Sequence, residues 1–185
     1  MTVYYSDHFS GVNPDTFVSD NTVLDKQKRA PVGISHGRMR YQRAQFTRQL
    51  ALNDYVRMMQ FKSSDRLYQL YLTSTATGAT GKFHIGVYKT GTLHDGAALE
   101  QDIFGAGVVL TSGYARTDRF GTGQPPGYYD QRGNPLWEVV SIGGASPANA
   151  YTKDPGEDWD IGVLCNAAFE ASATAILEAY YTAGD

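Results

Sequence analysis

Along residues 40–48 the side chains alternate, with Arg40, Gln42, Ala44 and Phe46 on one side of an extended chain and Tyr41, Arg43, Gln45 and Thr47 on the other. A period of two predicts a strand, and Asn53-Asp54 supplies the break after it. A helix over 41–52 is the competing reading, since Ala44, Leu50, Ala51 and Leu52 suit one. Residues 55–61, rich in Val, Met and aromatics, predict a second strand. Ser63-Ser64-Asp65 is a turn, 67–73 alternates again as a third strand, and the short link sets these two as neighbours.

Beyond the small-residue turn at 77–81, Phe83, Ile85 and Val87 point one way and His84, Gly86 and Tyr88 the other, giving a strand closed by Lys89-Thr90-Gly91. Residues 97–104 predict a short helix before Gly105, and 108–110 a brief strand. Residues 116–134, with Gly121, Gly123, Pro125, Pro126 and Gly127, predict a long loop of the kind that is functional or mobile. Strand character resumes at 136–142, and 143–156 is a further loop. Trp159, Ile161, Val163 and Cys165 alternate with Asp160, Gly162, Leu164 and Asn166 as a half-buried strand. The segment from 167 onward fits either a helix or a turn and a last strand. The strand is preferred, because at least six short strands already need partners.

The first 37 residues hold neither period and are broken by Gly11, Pro14, Pro31, Gly33 and Gly37. They predict an extended arm, 1–37, ahead of one β-sandwich domain, 38–185. Twenty Gly, thirteen Tyr and 19% charged residues in 185 fit a β-rich domain better than a helical bundle. No stretch has the roughly 18–20 apolar residues that span a bilayer, and the first residues lack the order of a secretory signal, so synthesis in the cytoplasm without export is expected.

Charge sharpens the division. Residues 1–62 hold nine Lys/Arg and five Asp/Glu, a net of +4, and the remainder holds seven and fourteen, a net of −7, which together give the overall −3. Lys26, Lys28, Arg29, Arg38, Arg40, Arg43 and Arg48 form a basic stripe and are the candidate partner-binding residues. Nucleic acid is disfavoured as the partner, because the charges are diluted over some twenty residues of an acidic chain. A solvated arm is the plainest reading of the stripe, and an arm docking on an acidic protein surface comes next.

Candidate chemistry is thin. Thr77-Gly-Ala-Thr-Gly81-Lys82 lacks the first Gly and the hydroxyl residue of a phosphate-binding loop and reads as a hairpin turn. His8, His36, His84 and His94 form no metal-ligand spacing, and no serine sits in a nucleophile turn. Cys165, the single cysteine, shares the apolar face of its strand and reads as a buried structural thiol. Asp154, Glu157, Asp158 and Asp160 lack calcium-loop spacing and read as solvated turn residues before the Trp159 strand. The expectation is a non-enzyme with no catalytic residue, metal or cofactor.

Three stretches carry a family resemblance: Leu52-Asn-Asp-Tyr-Val-Arg-Met-Met-Gln-Phe61, Asp65-Arg-Leu-Tyr-Gln-Leu-Tyr-Leu-Thr-Ser74 and Asp158-Trp-Asp-Ile-Gly-Val-Leu-Cys-Asn-Ala-Ala-Phe169. With the Phe83 to Tyr88 strand and an Ala/Thr-rich terminal hairpin, the chain resembles tailed-bacteriophage head decoration, or capsid cement, proteins over roughly 38–182. The resemblance implies a jelly-roll-like antiparallel β-sandwich that binds the outer surface of the virion head. It further implies the major capsid protein as partner, contacts between its subunits stabilised, and a homo-oligomer with a trimer favoured over a dimer. The long arm and the 121–129 loop depart from the family pattern. A carbohydrate- or receptor-binding virion module is the alternative, with Tyr128, Tyr129, Trp137 and Trp159 as stacking faces.

Overall fold

The computed structural model describes residues 3–5, 39–110, 112–120, 131–143 and 151–184. Nine strands and one helix follow in order: β1 (Val3–Tyr5), β2 (Arg40–Arg48), β3 (Tyr55–Lys62), β4 (Arg66–Ser74), β5 (Lys82–Lys89), β6 (Ala98–Val109), β7 (Tyr114–Asp118), α1 (Leu136–Gly143), β8 (Asp158–Ala167) and β9 (Ala173–Thr182). One sheet has the order β1-β3-β8-β5-β6 and the other β2-β9-β4-β7. All pairings are antiparallel except the short parallel contact of β1 with Tyr55 to Arg57 of β3.

Four of the antiparallel pairs nest, β5 with β6, β4 with β7, β3 with β8 and β2 with β9. They make one long two-stranded ribbon rolled into two facing sheets, the jelly-roll arrangement of an all-β sandwich. Its core comes from the inward parity of each strand. Ala44 and Phe46 of β2, Leu70 and Leu72 of β4, and Ala175, Leu177 and Ala179 of β9 face Phe83, Ile85 and Val87 of β5 and Trp159, Ile161, Val163 and Cys165 of β8. Phe61 and Tyr181 meet edge-to-face at 4.9 Å and tie one sheet to the other. Each large aliphatic side chain so buried contributes about 1.5–3 kcal/mol.

Several expectations are corrected. Residues 55–61 and 67–73 form strands but are not paired with each other, for the rolled ribbon sends β3 and β4 to opposite sheets. The turn between them leaves the sheet plane, held by Asp65, whose carboxylate accepts the Lys62 N–H at 2.8 Å. Of 97–104, expected as helix, 98–104 are strand, since β5 offers an open edge and pairing to it outweighs local preference. β6 follows that edge with three register shifts, passing so close over β5 that a Cβ at Gly86 would overlap the backbone of Gln101.

Residues 136–142, expected as strand, form α1. Pro135 precedes its first turn, where a missing N–H costs nothing, and its carbonyl accepts the Val139 N–H at 3.2 Å. Leu136, Val139 and Val140 are buried at helical spacing while Ile142 stays exposed. The expected loop 116–134 begins inside β7, and its 121–130 portion lies outside the described residues, as does 144–150 of the next expected loop. The expected arm, apart from Val3–Tyr5, lies outside them too. No helix of the described residues is long and apolar enough to cross a membrane.

Candidate functional site

Of the seven basic residues singled out, Lys26, Lys28, Arg29 and Arg38 lie outside the described residues, and Arg40, Arg43 and Arg48 fall on β2. β2 is the outermost strand of its sheet, joined to β9 in an unbroken nine-residue register from Arg40↔Tyr181 to Arg48↔Ala173. The strand does not gather its arginines into one cluster. Arg43 points outward, whereas Arg40 and Arg48 have the inward parity of Ala44 and Phe46 and sit at opposite ends of the sandwich, about 26 Å apart at strand rise. β2 carries no carboxylate along its length.

The outward face of the same sheet holds a group that the charge stripe did not indicate. Tyr41 of β2, Tyr71 of β4, Arg116 of β7, and Glu178 and Tyr180 of β9 stand side by side. The Tyr41 hydroxyl donates to Glu178 Oε1 at 2.7 Å, and Arg116 Nε donates to Glu178 Oε2 at 2.7 Å. The Arg116 guanidinium lies 3.6 Å from the Tyr71 ring centroid. Tyr180 packs 5.2 Å from Tyr41 and 6.1 Å from Tyr71 between ring centroids.

Partial desolvation pushes the Glu178 carboxyl up, but the hydrogen bonds from Tyr41 and Arg116 and the nearby guanidinium charge outweigh it and hold it below the ordinary range. Desolvation and the bond to this anion push the Tyr41 phenol up to about 12. The sequence signal for this group was Tyr and Arg at outward positions, where a solvated sheet usually places short polar residues or lysine.

A second polar group sits on the outer side of the five-stranded sheet and is sealed. Asp160 of β8 lies 2.9 Å from His94 Nδ1, accepts the Thr90 hydroxyl at 3.1 Å and faces Arg57 NH1 at 3.5 Å. Arg57 donates to the Gly96 carbonyl at 2.6 Å and lies between the Tyr55 and Tyr88 rings, 4.1 and 4.6 Å from their centroids. Side-chain exposure is 2% or less for Arg57, His94 and Asp160, so the acid–histidine pair meets no solvent-borne substrate. It fastens residues 90–97, the connection between β5 and β6, across β3 and β8.

Asp160 is therefore no solvated turn residue, and its three acidic neighbours are also engaged. Asp154 accepts from the Ser63 hydroxyl and the Gly156 N–H, Glu157 pairs with Lys89 at 3.3 Å, and Asp158 pairs with Lys62 at 2.6 Å. A cleft of about 400 Å³ lined by Lys89, Thr90, Gly96, Glu157 and Asp158 opens beside them. Among the described residues no group of three His, Cys, Asp or Glu could hold a metal ion.

Cys165 is fully buried, and burial pushes its thiol up to about 11. Of the expected stacking faces, Trp159 is fully buried and Trp137 packs against the core. Tyr128 and Tyr129 lie outside the described residues.

No family model matches the chain. No curated protein matches it either. Solved structures do match, among them the following two. A chain from the capsid of Ralstonia phage GP4 aligns over 100% of this chain and 99% of its own length, at 17% identity and a TM-score of 0.48. A chain from the capsid asymmetric unit of cyanophage Pam1 aligns over 85% of this chain and 95% of its own, at 14% identity and a TM-score of 0.38. Both scores fall below 0.5, too low for either likeness to decide a function.

Proposed function

We propose that the chain is a non-enzymatic structural protein of a tailed-phage virion, which binds the outer surface of the head and stabilises contacts between major capsid subunits. The observation that carries this reading is the place of β2. It is an edge strand with three arginines and no carboxylate, on a sandwich that is otherwise acidic, directly after the stretch holding Lys26, Lys28, Arg29 and Arg38. Arginine suits such an edge because its planar fork meets carboxylates bidentately. The resemblance of 38–182 to head decoration proteins points the same way.

In this reading 1–37 is an arm, attached to the sandwich through β1, whose remainder orders on the partner, and symmetric copies, a trimer before a dimer, multiply a modest single contact. The test mixes purified full-length protein with heads that lack it, at rising salt, beside a version without residues 1–37 and a full-length Arg43→Glu/Arg48→Glu variant. Saturable, salt-sensitive binding by the full chain only is expected. Absence of binding by the full chain ends the head-binding reading, and equal binding by all three ends the role of the arm and edge.

A further inference from the structure

We propose that the outward face of the four-stranded sheet, centred on Tyr41, Tyr71, Arg116 and Tyr180, is a second contact surface that docks a carboxylate-bearing protein surface of a shell subunit. The proposal rests on the head-binding reading above and extends its edge, through Tyr41 and Arg43 of β2, onto the outward side of β9, β4 and β7.

The face is set before any partner arrives. Glu178 binds Tyr41 with one oxygen and Arg116 with the other, the Arg116 guanidinium lies over the Tyr71 ring, and Tyr180 packs against both Tyr41 and Tyr71. Side chains already fixed lose little freedom on docking, which is the main cost of ordering an interface. Tyr and Arg are also the residues in which binding energy concentrates. Tyr41 is 51% exposed and Met39, just ahead of β2, 56%, so apolar surface remains to be covered.

Charge selects the occupant. Both carboxylates of the face are taken within the chain, Glu178 by Arg116 and Asp118 by Arg132 at 2.8 Å. Arg43 donates to the neutral Gln45 at 2.6 Å and lies directly across from Glu178 in the register. What the face turns outward is guanidinium N–H and aromatic rim, with its anions already held, so the fitting partner supplies acceptors, and carboxylates above all. A continuous polyphosphate would run against Glu178 and Asp118. Discrete carboxylates of a protein surface can be placed between them.

Size explains why the face acts together with the edge. Four strands about 4.8 Å apart and some eight residues long offer roughly 500 Å², short of the ~800 Å² per side of a stable interface. The adjoining β2 edge and the preceding segment supply the remainder.

The experiment uses full-length protein and heads lacking it. Tyr41→Ala and Arg116→Ala are expected to weaken binding at least about tenfold, Thr73→Glu, which puts a carboxylate mid-face, to do the same, and Gln101→Ala on the opposite sheet to leave it unchanged. Thr73→Glu keeps the test open should either truncation lower the melting temperature. A photo-crosslinking benzoylphenylalanine at position 39 is expected to join the shell subunit at an acidic segment. If wild-type protein binds while all three face variants bind as well as it does, the face is idle and this proposal falls alone. A crosslink to a second copy of the chain overturns the occupant. Failure of wild-type protein to bind heads overturns both readings.

Discussion

Removing the Asp160 carboxylate is predicted to be among the most damaging single changes in the chain. In Asp160→Ala the Arg57 guanidinium stays pinned between Tyr55 and Tyr88 with no exposed route, keeping one bond to the Gly96 carbonyl but losing the anion 3.5 Å away. An uncompensated buried charge of this kind costs about 3–5 kcal/mol. That is a large part of the ~5–15 kcal/mol that holds a domain together. At about 2–4 °C per kcal/mol for a chain of this size, the melting temperature should fall by about 6–20 °C.

Urea unfolding should show a lower midpoint with an unchanged slope, because the surface exposed on unfolding is the same. The companion Arg57→Met/Asp160→Leu removes both charges together and should regain most of the loss, since an apolar pair of similar volume avoids the desolvation of two ions. A cost under about 1 kcal/mol for Asp160→Ala would refute the claim that this cluster fastens 90–97 to the sheet. So would a double variant as unstable as the single one.

Two further predictions concern protons. Glu178 is held below its ordinary value, so its contribution is fully present above the unfolded value of about pH 4.3 and disappears as pH falls through the folded one; Glu178→Gln should flatten the acid limb of stability in urea titrations between pH 2.5 and 6, and an unchanged limb would contradict the Tyr41–Glu178–Arg116 bonds. Cys165, buried and with its thiol raised to about 11, should resist a water-soluble thiol reagent at pH 8 and react fully in denaturant, whereas rapid labelling of the folded chain would show the β8 face to be open.

β2, β5 and β8 were legible because a period of two in side-chain type is visible within each segment alone. β9 alternates as well, but its strand reading leaned on the need of the other strands for partners. Only the end of β6, within the expected strand 108–110, was legible, because Glu100-Gln101-Asp102 interrupts its earlier apolar positions and its pairing follows a shifted edge that only the folded β5 provides. α1 was hidden differently. Leu136, Val139 and Val140 have helical spacing behind Pro135, but Trp, Val and Ile in so short a run favour the strand reading.

The interaction face was missed for a third reason. Its members lie far apart in sequence, at 41, 71, 116, 178 and 180, and become neighbours only through the order β2-β9-β4-β7. Net charge, by contrast, is additive along the chain, which is why the basic stripe was visible, and the period of two already put Arg40 and Arg43 on opposite sides of their strand. Asp160 carried a faint signal, an acid between Trp159 and Ile161 in an apolar strand, but its partners Arg57, Thr90 and His94 come from other parts of the ribbon.

Nesting of the strand pairs also bears on how the chain can find its shape during synthesis. The innermost pair, β5 and β6, is joined by residues 90–97 alone and can zip while later strands are still unmade. Each outer pair, closing after the one inside it, brings together ends that are already near, so the entropy of the 124-residue loop between Arg48 of β2 and Ala173 of β9 is met in four smaller instalments. A chain grown to residue 157 holds the ribbon's tip and lacks β8 and β9, the strands that lie inside both sheets. Until then Phe83, Ile85 and Leu70 have no finished layer to cover them, and the half-made sheets present open edges to any neighbour at high concentration.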